Sequence, residues 1–445
     1  MRKKTVICPN PSCPTNTEQD KGMKLGPNNV LYKCEKPGRD THYFTAPKTL
    51  FNTWSKHVIS PFEEFKDVKV DTDTVYCPQC HAPIYLGNDI VRVAVVGPRN
   101  CGKTVYLTVL NELIGNPEYM GRLRFDLAKK TEAFSFTVRY SGNDKRYVLP
   151  RPTQVNGSAA GAANIPYMDY HVTLGVDELE LAALMGHDAG NGDKSKGKKN
   201  NGTIEGKSLE MYFYDVAGEW FMPQEKVSRD MLDNDSERNR KLAYLYEADL
   251  ILFMIDSRQI AADDAEDVSH LTEKSELSFE EYGRAIRERI IDIRSKNHKD
   301  YYVAFCYLSV DIFKQSQSAY NLVTKENFDF RLKRADDTFD AAVFNWDKYD
   351  ECVRTNLRTF KKFNRIFGSL VNENSDGKPM LDVSRMGVFS ISSLGPKATV
   401  ISKDSGYGTE KYLDSFDPTN SWGVVDPILW YLSERGIISQ AKSKK

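Results

Sequence analysis

The feature that most constrains the fold of this chain is an eight-residue stretch, Gly97-Pro98-Arg99-Asn100-Cys101-Gly102-Lys103-Thr104, which matches the pattern GxxxxGK[ST]. An apolar, β-branched run precedes it at residues 91–96, and a segment with the apolar spacing of a helix follows at residues 105–114. A strand, a glycine-rich loop and a helix in this order place backbone N–H groups around an anion at a helix N-terminus. The stretch therefore predicts a site for the phosphates of a nucleoside triphosphate.

The residue types of this stretch predict separate roles. Lys103 is expected to reach the β- and γ-phosphates and to support catalysis, while the hydroxyl of Thr104 is expected to complete the Mg²⁺ shell. The glycines let the backbone curl around phosphate oxygens. The remaining residues predicted to contact the nucleotide here are Gly97, Arg99, Asn100, Cys101 and Gly102.

A second motif lies downstream, where an apolar strand at residues 209–214 ends in Asp215-Val216-Ala217-Gly218-Glu219. A carboxylate at the carboxyl end of a strand lies at the crevice where α/β sheets bind ligands. Asp215 is therefore predicted to hold Mg²⁺, directly or through water, and Gly218 to offer its N–H to the γ-phosphate.

Composition bounds the class of protein. The 445 residues are 40% hydrophobic, which is enough for a full α/β domain with an appendage. The 61 Lys and Arg residues nearly balance the 62 Asp and Glu residues, so no global field recruits nucleic acid or an anionic membrane. The longest apolar runs, 250–255 and 301–308, are too short to span a bilayer, and the polar N-terminus lacks a signal-peptide core. We expect a cytoplasmic protein.

The composition and the hydrophobic pattern of the sequence change near residue 88. Residues 1–88 are rich in Cys, Pro and short polar turns, whereas apolar strands alternate with helical patterns over residues 89–438. This alternation is typical of an α/β fold with a mostly parallel central sheet flanked by helices. Residues 186–207 are rich in Gly, Asn and Lys and predict a disordered loop, and residues 439–445 predict a flexible tail. The predicted strands are 92–96, 167–174, 209–214, 250–255, 302–308 and 387–390, and the predicted helices are 103–114, 236–246, 278–295, 315–332, 347–372 and 425–434.

Two short cysteine loops occur in the N-terminal segment, Cys8-Pro-Asn-Pro-Ser-Cys13 and Cys77-Pro-Gln-Cys80. Paired thiolates on tight turns, in a segment with little apolar core, predict tetrahedral Zn²⁺ bound by Cys8, Cys13, Cys77 and Cys80 in a zinc-ribbon-like module. Cys34 is a further candidate, which could join this site or begin another with His42. A redox role is less consistent with a CxxC pair that does not open a helix after a strand.

The two nucleotide motifs, GPRNCGKT and FYDVAGE, resemble those of the translation-factor-related, Ras-like class of P-loop GTPases. Within that class the chain resembles bacterial double-GTPase type domains of conflict systems, which often carry a zinc ribbon. The resemblance covers about residues 90–435. It implies a P-loop NTPase fold, GTP or GDP with Mg²⁺ as cofactors, and protein partners that sense two nucleotide-dependent segments.

The resemblance also indicates where a guanine base would be recognised. Asp311 follows the strand at 302–308 and stands where the family carries a guanine-reading carboxylate, although Ser309 replaces the lysine that usually precedes it. Ser392 and Ser393 are similar to the family loop that contacts the guanine O6. The missing lysine leaves an ATPase of the same fold as an alternative.

Hydrolysis needs a group that orients water and a segment that closes on Mg²⁺ and the γ-phosphate. Glu219 stands where many relatives carry glutamine, so we predict that it positions water and that turnover is slow. Thr153 is the candidate for the closing segment, with Thr131 and Thr137 as substitutes. Asn100 falls where potassium-stimulated relatives carry an asparagine that helps to hold K⁺.

These observations predict a slowly hydrolysing GTP switch with a structural zinc site, and the resemblance implies a role in a bacterial conflict or defence system. Two alternatives remain besides the ATPase. The first is a nucleotide-binding scaffold that does not hydrolyse. The second is a nucleic-acid binder through the zinc module and the lysines at 194–199, which the mixed charge of residues 54–73 makes unlikely.

Overall fold

The computed structural model describes residues 6, 8, 10, 13, 15, 25–37, 40–46, 54, 57–72, 74–86, 89–98, 101–130, 134–141, 144–150, 167–174, 208–215, 244–257, 279–296, 300–308, 329–333, 339–359, 368, 381–395, 398, 400–405, 408–413 and 416–441. The strands in this part of the chain are β1 (Tyr32–Cys34), β2 (His42–Phe44), β3 (Thr74–Tyr76), β4 (Pro83–Tyr85), β5 (Asp89–Val96), β6 (Leu123–Lys130), β7 (Thr137–Ser141), β8 (Asp144–Val148), β9 (Tyr167–Leu174), β10 (Ser208–Asp215), β11 (Leu250–Asp256), β12 (Tyr302–Leu308), β13 (Arg331–Lys333), β14 (Phe339–Asn345), β15 (Met386–Ile391), β16 (Val400–Ser405), β17 (Gly408–Leu413) and β18 (Ser439–Ala441). The helices are α1 (Lys103–Ile114), α2 (Pro117–Met120), α3 (Phe279–Lys296), α4 (Trp346–Thr359) and α5 (Asp426–Glu434).

A seven-stranded sheet with the order β15-β12-β11-β5-β10-β9-β6 forms the centre of the fold. The five strands from β15 to β10 are parallel, while β9 is antiparallel to both β10 and β6. The parallel strands are nearly continuous apolar runs, and all seven residues of β11 are buried. Strands covered on both faces have this composition. The predicted α/β fold with a mostly parallel sheet is confirmed.

The order of the strands reverses at β5. After β5 the chain forms β6, β9 and β10 on one side of it, and later β11, β12 and β15 on the other side. In a sheet of this kind the crevice for a ligand opens beside the carboxyl ends of the strands at the reversal. The carboxyl ends of β5, β10 and β11 lie at this point.

The largest hydrophobic cluster lies between the sheet and the helices α1 and α5. Leu107 and Leu110 of α1 and Leu429 and Trp430 of α5 are buried in it against residues of β5, β11 and β12. A second cluster contains only N-terminal residues, among them Leu25, Phe65 and Ile84 as well as Cys8, Cys13, Cys34 and Cys77. The division of the chain near residue 88 stays a prediction, and it is compatible with these two separate clusters.

Several expectations on secondary structure need correction. Residues 331 and 332, placed in a helix at 315–332, belong to β13 instead, because Arg331 and Leu332 pair with β14. Residues 439–441, placed in the flexible tail, form β18 parallel to β14. The predicted helices 236–246 and 347–372 are described only in part, and the loop at 186–207 lies outside the described residues.

Four smaller sheets accompany the central one within the described residues: β13-β14-β18, β16-β17-β8-β7, and the pairs β1-β2 and β3-β4 of the N-terminal segment. Leu31 and Tyr76 connect these two pairs through a backbone bridge. Among the described helices, none combines the length and the apolar character that crossing a membrane requires.

Candidate functional site

The phosphate-loop motif lies in the strand–loop–helix arrangement that its function requires. β5 ends at Val96, and α1 begins at Lys103. Gly102 adopts φ = 98°, a left-handed conformation that side chains other than glycine rarely accept. A Cβ at Gly97 would lie 2.7 Å from the carbonyl oxygen of Met254, so only glycine lets the loop pass this close to β11. Arg99 and Asn100 lie outside the described residues.

Lys103 is buried over the loop that precedes it. Its Nζ donates hydrogen bonds to the carbonyl oxygens of Gly97, at 2.9 Å, and Pro98, at 2.8 Å. The first turn of α1 carries no acidic residue, and its N-cap makes no side-chain hydrogen bond. A helix N-terminus of this kind offers backbone N–H groups to an anion. The ammonium group and these amides therefore converge where a phosphate chain could bind.

Thr104 contacts the carboxylate that the second motif supplies. Its Oγ1 donates a hydrogen bond to Oδ2 of Asp215 at 3.0 Å, and both residues are buried. Asp215 ends β10 and pairs with Val95 of β5 in parallel register, which brings the carboxyl ends of the two strands together. A hydroxyl and a carboxylate oxygen are hard ligands of the type that Mg²⁺ prefers. These two predicted Mg²⁺ ligands lie side by side.

The structure adds Asp256, which the sequence analysis did not single out. It ends β11 and is buried beside the phosphate loop. The thiol of Cys101 interacts electrostatically with Lys103, Asp256 and Asp215, and its pKa is raised mainly by burial. The available signal was an aspartate directly after the apolar run 250–255, in the same position as Asp215 after the run 209–214.

The loop predicted to contact the base follows β15. The N–H of Ser392 donates to the carbonyl of Trp422 at 3.0 Å, and the N–H of Trp422 donates back at 2.9 Å. The amide of Ser392 is thus engaged within the fold, and base contacts from this loop would come from the amides that follow it. The hydroxyl of Ser421 donates to the carbonyl of Ser393 at 2.6 Å and holds the loop in place. Predicted site residues outside the described part of the chain are Thr153, Gly218, Glu219 and Asp311.

The four cysteines of the N-terminal segment form one cluster. The Sγ atoms of Cys8, Cys13, Cys77 and Cys80 all lie within 4.8 Å of one another. Cys8 and Cys80 are separated by 3.5 Å between their Sγ atoms, and Cys13 and Cys77 by 3.6 Å. Four sulfurs at Zn–S distances of about 2.3 Å around a tetrahedral ion are about 3.8 Å apart. The cluster therefore fits a tetrahedral Cys₄ metal site.

Neighbouring groups stabilise a thiolate in this cluster. The hydrogen bond from Cys13 is the largest of several that lower the pKa of the Cys77 thiol below its ordinary value. The hydroxyl of Thr15 lies 3.0 Å from Sγ of Cys13 and 3.9 Å from Sγ of Cys77. Thiolates are the form of cysteine that binds a metal ion.

Cys34 does not belong to the cluster. Its buried thiol donates to the carbonyl of His42 at 3.7 Å and receives a hydrogen bond from Ser60 Oγ at 3.6 Å. The imidazole of His42 packs instead against the rings of Phe62 and Phe65. Among the described residues the alternative of a second site at Cys34 and His42 therefore has no support.

Comparisons with known proteins give only distant likenesses. No protein-family model matches the sequence, and no curated protein shows significant similarity to it. The fold is similar to the signal recognition particle receptor SRb-GTP/SRX complex from Chaetomium thermophilum, with 13% identity, a TM-score of 0.25, and 68% of this chain and 90% of that chain covered. It is also similar to the septin GTPase domain from Chlamydomonas reinhardtii, with 11% identity, a TM-score of 0.26, and 79% and 94% covered.

Proposed function

We propose that this chain binds GTP with Mg²⁺ at the loop 97–104, hydrolyses it slowly, and acts as a switch that partner proteins sense. The observation that carries the proposal is the 3.0 Å hydrogen bond between Thr104 and Asp215. It joins the hydroxyl of the phosphate-loop motif to a carboxylate that lies 111 residues further along the chain. These are the two protein groups that hold Mg²⁺ in phosphate-loop enzymes.

The described residues suggest how the site would act. Lys103 would exchange its bonds to the carbonyls of Gly97 and Pro98 for bonds to phosphate oxygens, and so neutralise negative charge without leaving the loop. Thr104 and Asp215 would hold Mg²⁺, which neutralises the charge that develops on the phosphates. Glu219 is proposed to orient the attacking water and Thr153 to close on the γ-phosphate.

We further propose that the site prefers guanine over adenine. Asp311 is proposed to accept the N1 and N2 hydrogens of guanine, and the loop at Ser392 and Ser393 to contact the base from the other side. The two backbone hydrogen bonds between Ser392 and Trp422 support a fixed position for that loop. Asn100 is proposed to assist the binding of K⁺.

We also propose that the four-cysteine cluster binds one structural Zn²⁺. Its Sγ distances support this assignment. The proposed setting in a bacterial conflict system rests on the sequence resemblance.

Titration of the purified chain with a fluorescent GTP analogue tests the site. We expect Mg²⁺-dependent binding that Lys103→Ala weakens by a factor of about 100 to 1000, since two charge-assisted contacts to phosphate are lost. Lys66→Ala is the matched control, because Lys66 is exposed in the N-terminal segment and forms an ion pair with Glu63 there. Equal affinity of Lys103→Ala and Lys66→Ala would contradict the proposal.

Competition and phosphate release separate the alternatives. Unlabelled GTP is expected to displace the analogue at far lower concentration than ATP does, and displacement by ATP at equal concentration would contradict the preference for guanine. Phosphate release that requires Mg²⁺ and disappears in Lys103→Ala supports hydrolysis, whereas bound GTP that is never cleaved indicates a scaffold. Comparison of release in K⁺ and Na⁺ buffers tests the role of Asn100.

A further inference from the structure

Two excursions of the chain leave the central sheet at its carboxyl edge. β6 ends there at Lys130, because β6 and β10 are both antiparallel to β9. The chain returns to this edge at Tyr167, where β9 begins, and the hairpin β7–β8 lies in between. β15 ends at the same edge with Ile391, and the hairpin β16–β17 lies between β15 and α5.

The base of each excursion is closed by backbone pairing. In the first, Lys130 of β6 pairs with Met168 of β9. In the second, Ser392 and Trp422 form a backbone bridge with two hydrogen bonds. Each hairpin therefore starts from a fixed position on the edge of the sheet.

The two hairpins join into one sheet with the order β16-β17-β8-β7. Tyr412 pairs with Val148 and Leu413 with Tyr147 in antiparallel register. The N–H of Leu149 adds a hydrogen bond of 2.9 Å to the carbonyl of Lys411. The guanidinium of Arg146 lies 5.0 Å above the centre of the Tyr412 ring, and Leu413 is buried. The joint between the hairpins is thus both hydrogen-bonded and packed.

The joined hairpins connect the two ends of the central sheet. β6 and β15 are its outermost strands, and β5, which leads into the phosphate loop, is three strands from each. At about 4.8 Å for each strand step, the outer strands are about 29 Å apart. The rings of Phe136 and Phe416 lie 4.6 Å apart and pack against the hydrophobic cluster that contains α1. Because the hairpins leave the carboxyl edge at its two ends and join, the connection spans that edge, at whose middle β5 leads into the phosphate loop.

We propose that the sheet β16-β17-β8-β7 is a strap that closes over a bound nucleoside triphosphate and limits its release. The proposal rests on the nucleotide binding proposed above. The strap is continuous with one part of the predicted site, because the loop at Ser392 and Ser393 leads into β16. The nucleotide enters and leaves when β8 and β17 separate, so the joint sets the exchange rate.

A disulfide across the joint tests the strap directly. Because Leu149 and Lys411 share a backbone hydrogen bond, Val148 and Tyr412 form the neighbouring pair without one, whose Cβ atoms lie close enough for a disulfide. Val148→Cys/Tyr412→Cys is loaded with a fluorescent guanine nucleotide, oxidised with Zn²⁺ present, and chased with unlabelled nucleotide. Release is expected to be at least about tenfold slower than after reduction.

The matched control is Ser402→Cys/Lys411→Cys. Ser402 pairs with Lys411 inside the β16–β17 hairpin, and because Lys411 directs its backbone hydrogen bonds toward Leu149, this pair is also one without hydrogen bonds. Its disulfide leaves the joint between the hairpins free. Its release rate is expected to be the same when oxidised and when reduced. Mass spectrometry of peptides under non-reducing conditions verifies both disulfides.

A third variant tests the joint without oxidation. Leu149→Pro removes the N–H that bonds to Lys411 and is expected to speed release about fivefold, as the loss of one backbone hydrogen bond predicts. Equal release rates for the oxidised and reduced test variant, or failure of its disulfide to form, would overturn the strap while nucleotide binding stands. A wild-type chain that binds no purine nucleotide would overturn both proposals.

Discussion

The phosphate-loop region and the four-cysteine segment are organised in different ways. Around the loop, Gly97, Gly102 and the buried strands β5, β10 and β11 position Lys103, Thr104 and Asp215 through backbone geometry and a large apolar cluster. In the N-terminal segment the apolar cluster is small, and cysteines make up part of it. The first region is therefore held by backbone geometry and apolar packing, whereas the second groups four cysteines in the arrangement of a metal site.

Zinc removal should produce the largest effect, and it should affect only the N-terminal segment. Cys77→Ser, or a strong chelator, is expected to unfold the N-terminal segment, because about 10 kcal/mol or more of metal binding energy is also folding energy in small zinc modules. Hydrogen exchange should then become fast in residues 25–86 but stay slow in β11, which is buried throughout.

Cys34→Ser is the control for this experiment. Cys34 is buried in the same segment but lies outside the four-cysteine cluster. This variant is expected to retain one zinc per chain and normal exchange. Loss of protection in β11 on chelation would show instead that the two regions fold as one unit.

The second prediction concerns backbone geometry in the phosphate loop. Gly97→Ala places a Cβ 2.7 Å from the carbonyl oxygen of Met254 and 3.1 Å from Sγ of Cys101. Overpacking of this kind is expected to cost about 1 to 3 kcal/mol of unfolding free energy and to weaken GTP-analogue binding, since the loop must move. Denaturant unfolding and a binding titration measure the two effects.

Gly436→Ala separates stability from binding in this test. Gly436 has φ = 63° and no atom within 4 Å of an added Cβ, so the substitution strains the backbone far from the site. It is expected to lower stability without changing nucleotide affinity. Unchanged affinity in Gly97→Ala would mean that the approach of the loop to β11 is not part of the site.

The difference between the two regions also explains what the sequence could predict. The parallel strands were found because a strand buried on both faces is a continuous apolar run, as in β11 and β12. The pairing of Thr104 with Asp215 followed from two motifs at strand ends. The grouping of Cys8, Cys13, Cys77 and Cys80 followed from cysteine spacing alone.

The sequence did not predict the elements that depend on tertiary contacts. β13 has three residues and exists because β14 pairs with it, so its sequence carries no strand pattern of its own. The joint between β8 and β17 connects hairpins from distant parts of the chain, and no local sequence pattern predicts such pairing. Asp256 was missed because no known motif marks it, although its position after β11 matches that of Asp215 after β10.

The third prediction is a pH dependence within the α/β region. Burial, with a further contribution from Asp329, raises the pKa of the Asp426 carboxyl well above its ordinary value. Arg331 binds both oxygens of Asp329, at 2.9 and 2.7 Å, so Asp426 is the acid that keeps its proton. The folded state then binds more protons than the unfolded state above pH 4, and its stability falls as pH rises, by at most about 1.4 kcal/mol per pH unit.

Asp426→Asn removes this dependence, because an amide does not titrate in this pH range. The amide oxygen can still accept the hydrogen bond from the Phe330 N–H. The free energy of unfolding of the variant, relative to that of wild type, is expected to be larger at pH 8 than at pH 5. Urea midpoints at both pH values measure this difference. A constant difference between the two proteins across that range would assign the proton elsewhere.

The smallest expected effect returns to the N-terminal segment. Lys66 and Glu63 form an exposed ion pair one helical turn apart, with an N···O distance of 2.6 Å. Water and salt screen such pairs, so Lys66→Ala should change the unfolding free energy of the zinc-loaded protein by less than about 0.5 kcal/mol. Its melting temperature at low and high salt should match that of wild type. A large, salt-sensitive loss of unfolding free energy would mean that surface charges rather than the metal stabilise this segment. Charge density, and not ion binding, would then explain the contrast with the phosphate-loop region.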